Sequence, residues 1–210
     1  MAQIFRPITN TLARVSLLGA VSGVVSLLWL TWAFQHSAYA TRAGVVRDQP
    51  VPFSHKHHVG GIGIDCRYCH TSVEDSSFAG VPATEVCMTC HSQVWSESEM
   101  LAPVRESLRT GTPLRWARVN DLPDFVYFDH SVHVAARVGC STCHGRVDLM
   151  PLTWAHATLL MRWCTDCHEA PARYQRDRPE EVFDMEWEPP EAEVEGSRDP
   201  QLLDCSVCHR

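Results

Sequence analysis

From Val15 to Gln35 the chain carries no charged residue; the run reads Val-Ser-Leu-Leu-Gly-Ala-Val-Ser-Gly-Val-Val-Ser-Leu-Leu-Trp-Leu-Thr-Trp-Ala-Phe-Gln. About 20 residues rising ~1.5 Å each span the ~30 Å hydrocarbon layer as a helix. Trp29, Trp32 and Phe34 gather toward its C-terminal end, where an interfacial aromatic belt sits. Gly19 and Gly23 form a Gly-x-x-x-Gly that permits close helix packing, although small residues are common in such segments. The pattern predicts a transmembrane anchor over 15–36, a cytoplasmic N-terminus over 1–14 and a linker over 37–52. The competing reading is a cleaved secretory signal, because Ala38-Tyr39-Ala40 resembles a peptidase site; the length of the apolar run favours a retained anchor. Arg6 and Arg14 precede the run and Arg42 and Arg47 follow it, so basic residues leave its orientation open.

Beyond the anchor the hydrophobic pattern is broken into short pieces. Residues 92–127 are punctuated by Pro and Gly and read as a connector with short extended segments. Residues 169–204 turn acidic and Pro-rich, as in Glu186-Trp187-Glu188-Pro189-Pro190-Glu191. That composition forms helix or strand poorly and predicts an exposed arm.

What organises the chain is one pentapeptide written five times: Cys66-Arg67-Tyr68-Cys69-His70, Cys87-Met88-Thr89-Cys90-His91, Cys140-Ser141-Thr142-Cys143-His144, Cys164-Thr165-Asp166-Cys167-His168 and Cys205-Ser206-Val207-Cys208-His209. Cys-x-x-Cys-His is the attachment signature of a c-type haem. The two thiols, Cys66 with Cys69, Cys87 with Cys90, Cys140 with Cys143, Cys164 with Cys167 and Cys205 with Cys208, would each tether one porphyrin. His70, His91, His144, His168 and His209 would then be the proximal iron ligands. All ten Cys fall in these motifs. Five pairs do not divide evenly into four-thiolate zinc sites, and disulfides would not require a His after every pair.

Five c-type haems over roughly 170 residues outside the anchor leave little polypeptide per cofactor. The fold class expected is therefore a multihaem cytochrome c, mostly coil with short α-helices packed around haems and little sheet. The formal charge of −7 argues against nucleic acid as a partner. Haem attachment takes place on the outer face of an energised bacterial membrane, which sets the body from Thr41 onward in the periplasm.

The sixth iron ligands are suggested by a repeat. Phe53-Ser54-His55-Lys56-His57-His58-Val59 and Phe128-Asp129-His130-Ser131-Val132-His133-Val134 both read Phe-x-His-x-x-His-Val. The first lies eight residues before motif one, counted from His58, and the second seven before motif three, counted from His133. A further motif follows after 21 residues in one copy and 24 in the other. This is a duplicated two-haem unit, 53–91 and 128–168. Residues i and i+3 share one face of a helical turn, so the two His of each copy can serve two neighbouring irons. His55, His58, His130 and His133 are the distal candidates, and His57 breaks the match between copies. Four His for five haems leave one position, for which Met150, Met161 and His156 compete. Met100 stays open; Met88, Met185 and His36 fit less well.

These motifs resemble a known family. The ordered run Phe-Ser-His-Lys-x-His, Gly-Ile-Asp-Cys-Arg-Tyr-Cys-His, Cys-Met-x-Cys-His, Pro-Val-Arg-Glu-Ser, Asp-Leu-Pro-Asp-Phe-Val-Tyr-Phe-x-His-x-x-His-Val, Cys-His-Gly-Arg-Val-Asp-x-Met, Met-x-Trp-Cys-x-x-Cys-His and Cys-Ser-x-Cys-His-Arg is similar to the pentahaem cytochrome c subunit of alternative complex III. The resemblance implies a single-pass subunit of the inner membrane that works in electron transfer and is not itself a catalyst. It implies partners: an iron–sulfur subunit, quinol-handling membrane subunits, a monohaem cytochrome and a soluble periplasmic acceptor. It implies four bis-His haems and one His/Met haem, favours Met150 or Met161 over His156, and leaves the placement of the fifth motif, over 205–210, least defined. Two other functions compete: a multihaem reductase with an open iron site, and a self-contained membrane quinol dehydrogenase.

Overall fold

The computed structural model describes residues 5–189 and 199–209. Residues 1–4 of the N-terminal segment, 190–198 of the acidic arm (Pro190 and Glu191 among them) and Arg210 lie outside the described residues. The chain divides into two compact units, Met1–Arg42 and Ala43–Arg210.

The first unit is built on helix α1, Pro7–Gln35, 29 residues long. It starts before the uncharged run because Pro7 fits the first turn of a helix, where its missing N–H costs nothing. The mean hydropathy reaches 1.8, so α1 is long and apolar enough to cross a membrane, a test that a signal sequence also passes. Three of its hydroxyls donate back into the helix, which suits a hydrocarbon surround: Ser16 to the Leu12 carbonyl at 2.6 Å, Ser22 to that of Gly19 at 3.1 Å and Thr31 to that of Leu27 at 2.8 Å. A short helix, α2 (Ala38–Thr41), ends at Arg42 with φ of 61°.

The second unit is made of short helical pieces. They are a π-helix, Lys56–Gly61, then α3 (Cys66–Cys69), α4 (Thr84–His91), α5 (Ala102–Thr110), α6 (His130–Ala135), α7 (Cys140–His144), α8 (Met161–Glu169) and α9 (Cys205–Cys208), with single 3₁₀ turns between. Among the described residues, β-pairing is confined to isolated bridges such as Val138 with Gln175. The peptide core is small: Val51, Leu101 and Val104, with Cys87, Met88, Leu114 and Trp116 packed against it. Short helices, little strand and a meagre peptide core are what a chain organised around large cofactors predicts.

Two segments differ from the sequence reading. Within 92–127, residues Ala102–Thr110 are helical rather than extended. Pro103 occupies the first turn and Gly111, at φ 67°, closes the last, so the punctuation that reads as loop marks helix ends. The helix is fastened to α4 by Thr84 and Ser107, whose hydroxyls lie 2.7 Å apart. The acidic arm is also less exposed than its composition suggests. Three of its residues pack inward, Val182 and Arg176 each 1% exposed and Met185 buried, while the acidic side chains between them mostly face solvent.

Candidate haem centres

Each Cys-x-x-Cys-His sits on or beside a single helical turn, which sets its two thiols and its His at i, i+3 and i+4 on one face. α3 is started by Asp65, whose carboxylate accepts from the Arg67 N–H at 2.8 Å and from its guanidinium at 2.9 Å. The ten Cys form no disulfide with one another. Among the described residues no three His, Cys, Asp or Glu side chains converge as ligands for a bare metal ion, which weighs against the zinc alternative.

The duplicated Phe-x-His-x-x-His segments fold alike. Phe53 stacks on His58 at a centroid distance of 4.5 Å and meets His55 edge-on at 4.9 Å. Phe128 stacks on His133 at 4.5 Å and meets His130 edge-on at 4.8 Å. In both copies the second His points Nδ1 back at the carbonyl four residues earlier, Ser54 or Asp129. The first copy is carried by the π-helix and the second by α6, so the ring geometry is kept although the backbone differs.

The motif His and these distal candidates face one another in pairs. Ring centroids are 6.1 Å apart for His58 and His91, 6.3 Å for His130 and His144, and 6.2 Å for His133 and His168. His55 has His70 as a near neighbour. Two imidazoles on opposite sides of one iron, each bonded at about 2 Å, put their centroids roughly 6.3 Å apart. The residues therefore fit the group, and the match recurs three times.

Protonation agrees with that fit. Nδ1 of His58, His70, His91, His130, His133, His168 and His209 lies 2.7–2.9 Å from a backbone carbonyl oxygen, of Ser54, Gly80, Val94, Ser77, Asp129, Leu202 and Phe125 respectively. A carbonyl only accepts, so Nδ1 carries the proton and Nε2 presents the lone pair a metal needs. His55 places Nδ1 2.8 Å from the Thr153 hydroxyl. At His144 the neighbour is Asn120, whose Oδ1 is buried and unsatisfied while its Nδ2 sits 3.1 Å from Nδ1. Turning the amide over gives Oδ1 a donor and makes the arrangement match the others. Burial pushes His55 and His144 down to about 4 and lowers His133, so all three stay neutral, the state in which imidazole binds metal.

The motifs form a sequence in space that differs from their order in the chain. Tyr68 in motif one bonds Thr89 in motif two at 2.8 Å. Cys140 lies beside Cys66 and His144 beside His70, which links motif three to motif one. Cys143, pushed up to about 12 chiefly by burial, also feels Cys167 and Cys164 of motif four. Cys164 in turn feels Cys208 of motif five. Motif five is held from two sides, by Tyr127 N–H on the Cys208 carbonyl at 2.8 Å and by Phe125, which stacks on His209 at 5.9 Å. The succession is two, one, three, four, five.

The remaining candidates separate by position. Met150 is 2% exposed and its carbonyl takes the Lys56 N–H of the π-helix. Met161 opens α8 and is 71% exposed. His156 packs against Gly145 beside motif three, Met88 packs on the small core, and Met100 is half exposed in a hollow shared with Gln93 and Trp95. His57 stacks on Trp95 at 6.1 Å, and His36 bonds the Trp32 carbonyl in the first unit. Asn120 and Thr153 meet His144 and His55 through side chains and Ser77 meets His130 through its carbonyl; none of the three belongs to a recurring motif, so the sequence pattern carries no signal for them.

Residues 33–106 match the family model described as the Class III cytochrome C family. Over 122 residues the chain is 39% identical to a protein of Nitratidesulfovibrio vulgaris named menaquinone reductase, multihaem cytochrome c subunit. The match covers 58% of this chain and 55% of that relative, so the chain spans about half the length of the curated relative it matches. With short helices, almost no strand and one apolar N-terminal helix among the described residues, and with these similarities, the fold is that of a multihaem cytochrome.

Proposed function

We propose that the chain carries five c-type haems as one electron relay, anchored by α1 in the inner membrane with the haem body in the periplasm. The observation that carries this is the threefold recurrence of facing His pairs at 6.1–6.3 Å. On this reading the haem at Cys66 and Cys69 takes His70 and His55. The one at Cys87 and Cys90 takes His91 and His58. That at Cys140 and Cys143 takes His144 and His130, and that at Cys164 and Cys167 takes His168 and His133. The haem at Cys205 and Cys208 takes His209 and, sixth, Met161: α8 neighbours the 3₁₀ turn Pro200–Leu203 that leads into α9, and Met161 stands exposed one turn before Cys164.

When bound, haem supplies a one-electron iron couple. The protein's part would be to hold four of the groups with two imidazoles each and the fifth with an imidazole and a thioether, so that no substrate reaches the metal and each site only exchanges electrons. Closed pairs weigh against the open-site reductase. The relay is assigned to a quinone-linked respiratory complex of the alternative complex III kind. Its partners there are an iron–sulfur subunit, quinol-handling membrane subunits and a monohaem cytochrome, with a soluble periplasmic acceptor. A second reading follows from the name of the relative, a menaquinone reductase subunit: the same relay run toward quinone.

The test uses the purified, detergent-solubilised protein. A pyridine haemochrome titration should give five haems, and electron paramagnetic resonance should show low-spin signals throughout. A full equivalent of high-spin haem would restore the reductase reading. Quinol oxidation by this subunit alone would favour the self-contained dehydrogenase.

A further inference from the structure

Arg176 is the largest fully buried side chain, 1% exposed, and it lies beside the third motif. Its backbone N–H donates to the Arg137 carbonyl at 2.8 Å, and its guanidinium Nη2 donates to the Ser141 hydroxyl at 2.8 Å, one residue from Cys140. The Trp187 ring covers it, with the guanidinium carbon 3.5 Å from the ring centroid. On another side it rests on Gly139, where any Cβ would overlap it. Nε and Nη1 are buried without a hydrogen-bond partner.

Its acidic neighbours are engaged elsewhere. Glu181 and Asp184 are the acidic groups whose field reaches it. Glu181 is engaged by Arg178 at 2.6 Å, and Asp184 accepts the Glu186 N–H at 2.9 Å. Among the described residues no carboxylate forms an ion pair with Arg176. A guanidinium does not shed its proton in proteins, so the fold keeps a positive charge sealed from water at a cost in stability. Because the donors are covered by protein, they are not poised to bind a ligand. What remains is their electrostatic effect on what sits next to them. In low dielectric, a fixed cation favours an added electron on its neighbour.

We propose that Arg176 is a positioning residue of electrostatic kind, raising the reduction potential of the haem held at Cys140, Cys143 and His144. This rests on the haem reading above. In the two-one-three-four-five succession that haem is central, so the cation gives the electron a favoured place midway along the relay.

The experiment is a spectroelectrochemical titration of the full-length protein and its Arg176→Gln and Arg176→Lys variants, with haem content measured alongside. In Arg176→Gln one of five potentials should move down while four hold and haem content stays at five. The moving transition should be the one that His130→Met displaces, and the shift should not depend on ionic strength, because the charge is buried. Arg176→Lys should restore most of the potential. Should Arg176→Gln fail to assemble, Trp187→Leu, which admits water to the guanidinium, should move the same transition down by less. Unchanged potentials in five-haem variants, a lysine variant shifted as far as the glutamine one, or movement of a different haem would each overturn the assignment to charge at this site. Fewer than five haems in the unmodified protein would instead strike the relay reading.

Discussion

Nδ1 of His55 lies 2.8 Å from the hydroxyl of Thr153, 98 residues further along the chain. The reverse bond exists too, since His130 in the second two-haem unit directs Nδ1 at the Ser77 carbonyl in the first. Each repeat thus orients an imidazole of the other, one that the proposed relay assigns to an iron. Thr153→Val keeps the shape and removes the hydroxyl. It should leave covalent haem content unchanged and weaken ligation by His55 about 10-fold to 100-fold. Carbon monoxide binding to the reduced protein checks this: one haem in five should become reactive.

His58 and His133 are equivalent in their Phe stacking and in their Nδ1 bonds to the carbonyl four residues back. Replacing either by Met exchanges imidazole for thioether at one iron. Each of His58→Met and His133→Met should raise a single potential by on the order of 0.1 V, a fraction of the roughly 0.8 V that axial ligands command. The two variants should move different haems, the first at motif two and the second at motif four. Redox titration of both variants and their combination decides it, with two independent shifts expected in the double variant.

The repeat Phe-x-His-x-x-His-Val was legible because its chemistry lies in side chains at fixed spacing, and the structure gives both copies the same ring geometry. The partners that hold those rings were not legible. Gly80, Val94, Ser77 and Leu202 act through carbonyl oxygens, which every residue possesses. Helix α5 was hidden because Pro103 and Gly111 signal a loop and a helix boundary equally well. The inward packing of Arg176, Val182 and Met185 was hidden by acidic neighbours that dominate the local composition. Motif order in space was illegible for another reason: contacts such as Cys66 with Cys140 span the two units and leave no periodic trace.

Asp148 offers a pH test. Arg146 holds its carboxyl below the ordinary carboxylate range through a bidentate pair at 2.6 and 2.9 Å. A depressed folded value means the pair contributes above the unfolded value of about 3.9, and that contribution is lost as pH falls through the lower folded one. Asp148→Asn should therefore cost about 1–2 kcal/mol at neutral pH. The gap in thermal midpoint between parent and variant should narrow as the pH is taken below about 4. A gap that stays constant to pH 3 would show that the pair contributes through packing alone.

The turn containing Asp148 also bears on a ligand. The π-helix that carries His58 lies against Val147–Leu149, and a Cβ at Gly60 would overlap the Asp148 carbonyl oxygen, a backbone atom that cannot swing aside. Gly60→Ala should thus push the π-helix off its support, with an overpacking cost of about 1–3 kcal/mol. His58 sits two residues before the clash and His55 five before it, at the helix start, so the disturbance should fall on His58 first. The expected signature is a lower thermal midpoint together with high-spin character at one haem, the one attached at Cys87 and Cys90. Gly61→Ala is the control, because a Cβ there meets only the Lys56 carbonyl at 3.6 Å, an ordinary contact. Equal damage from both variants would mean that the π-helix suffers from the loss of glycine as such, and not from its seat on the Asp148 carbonyl.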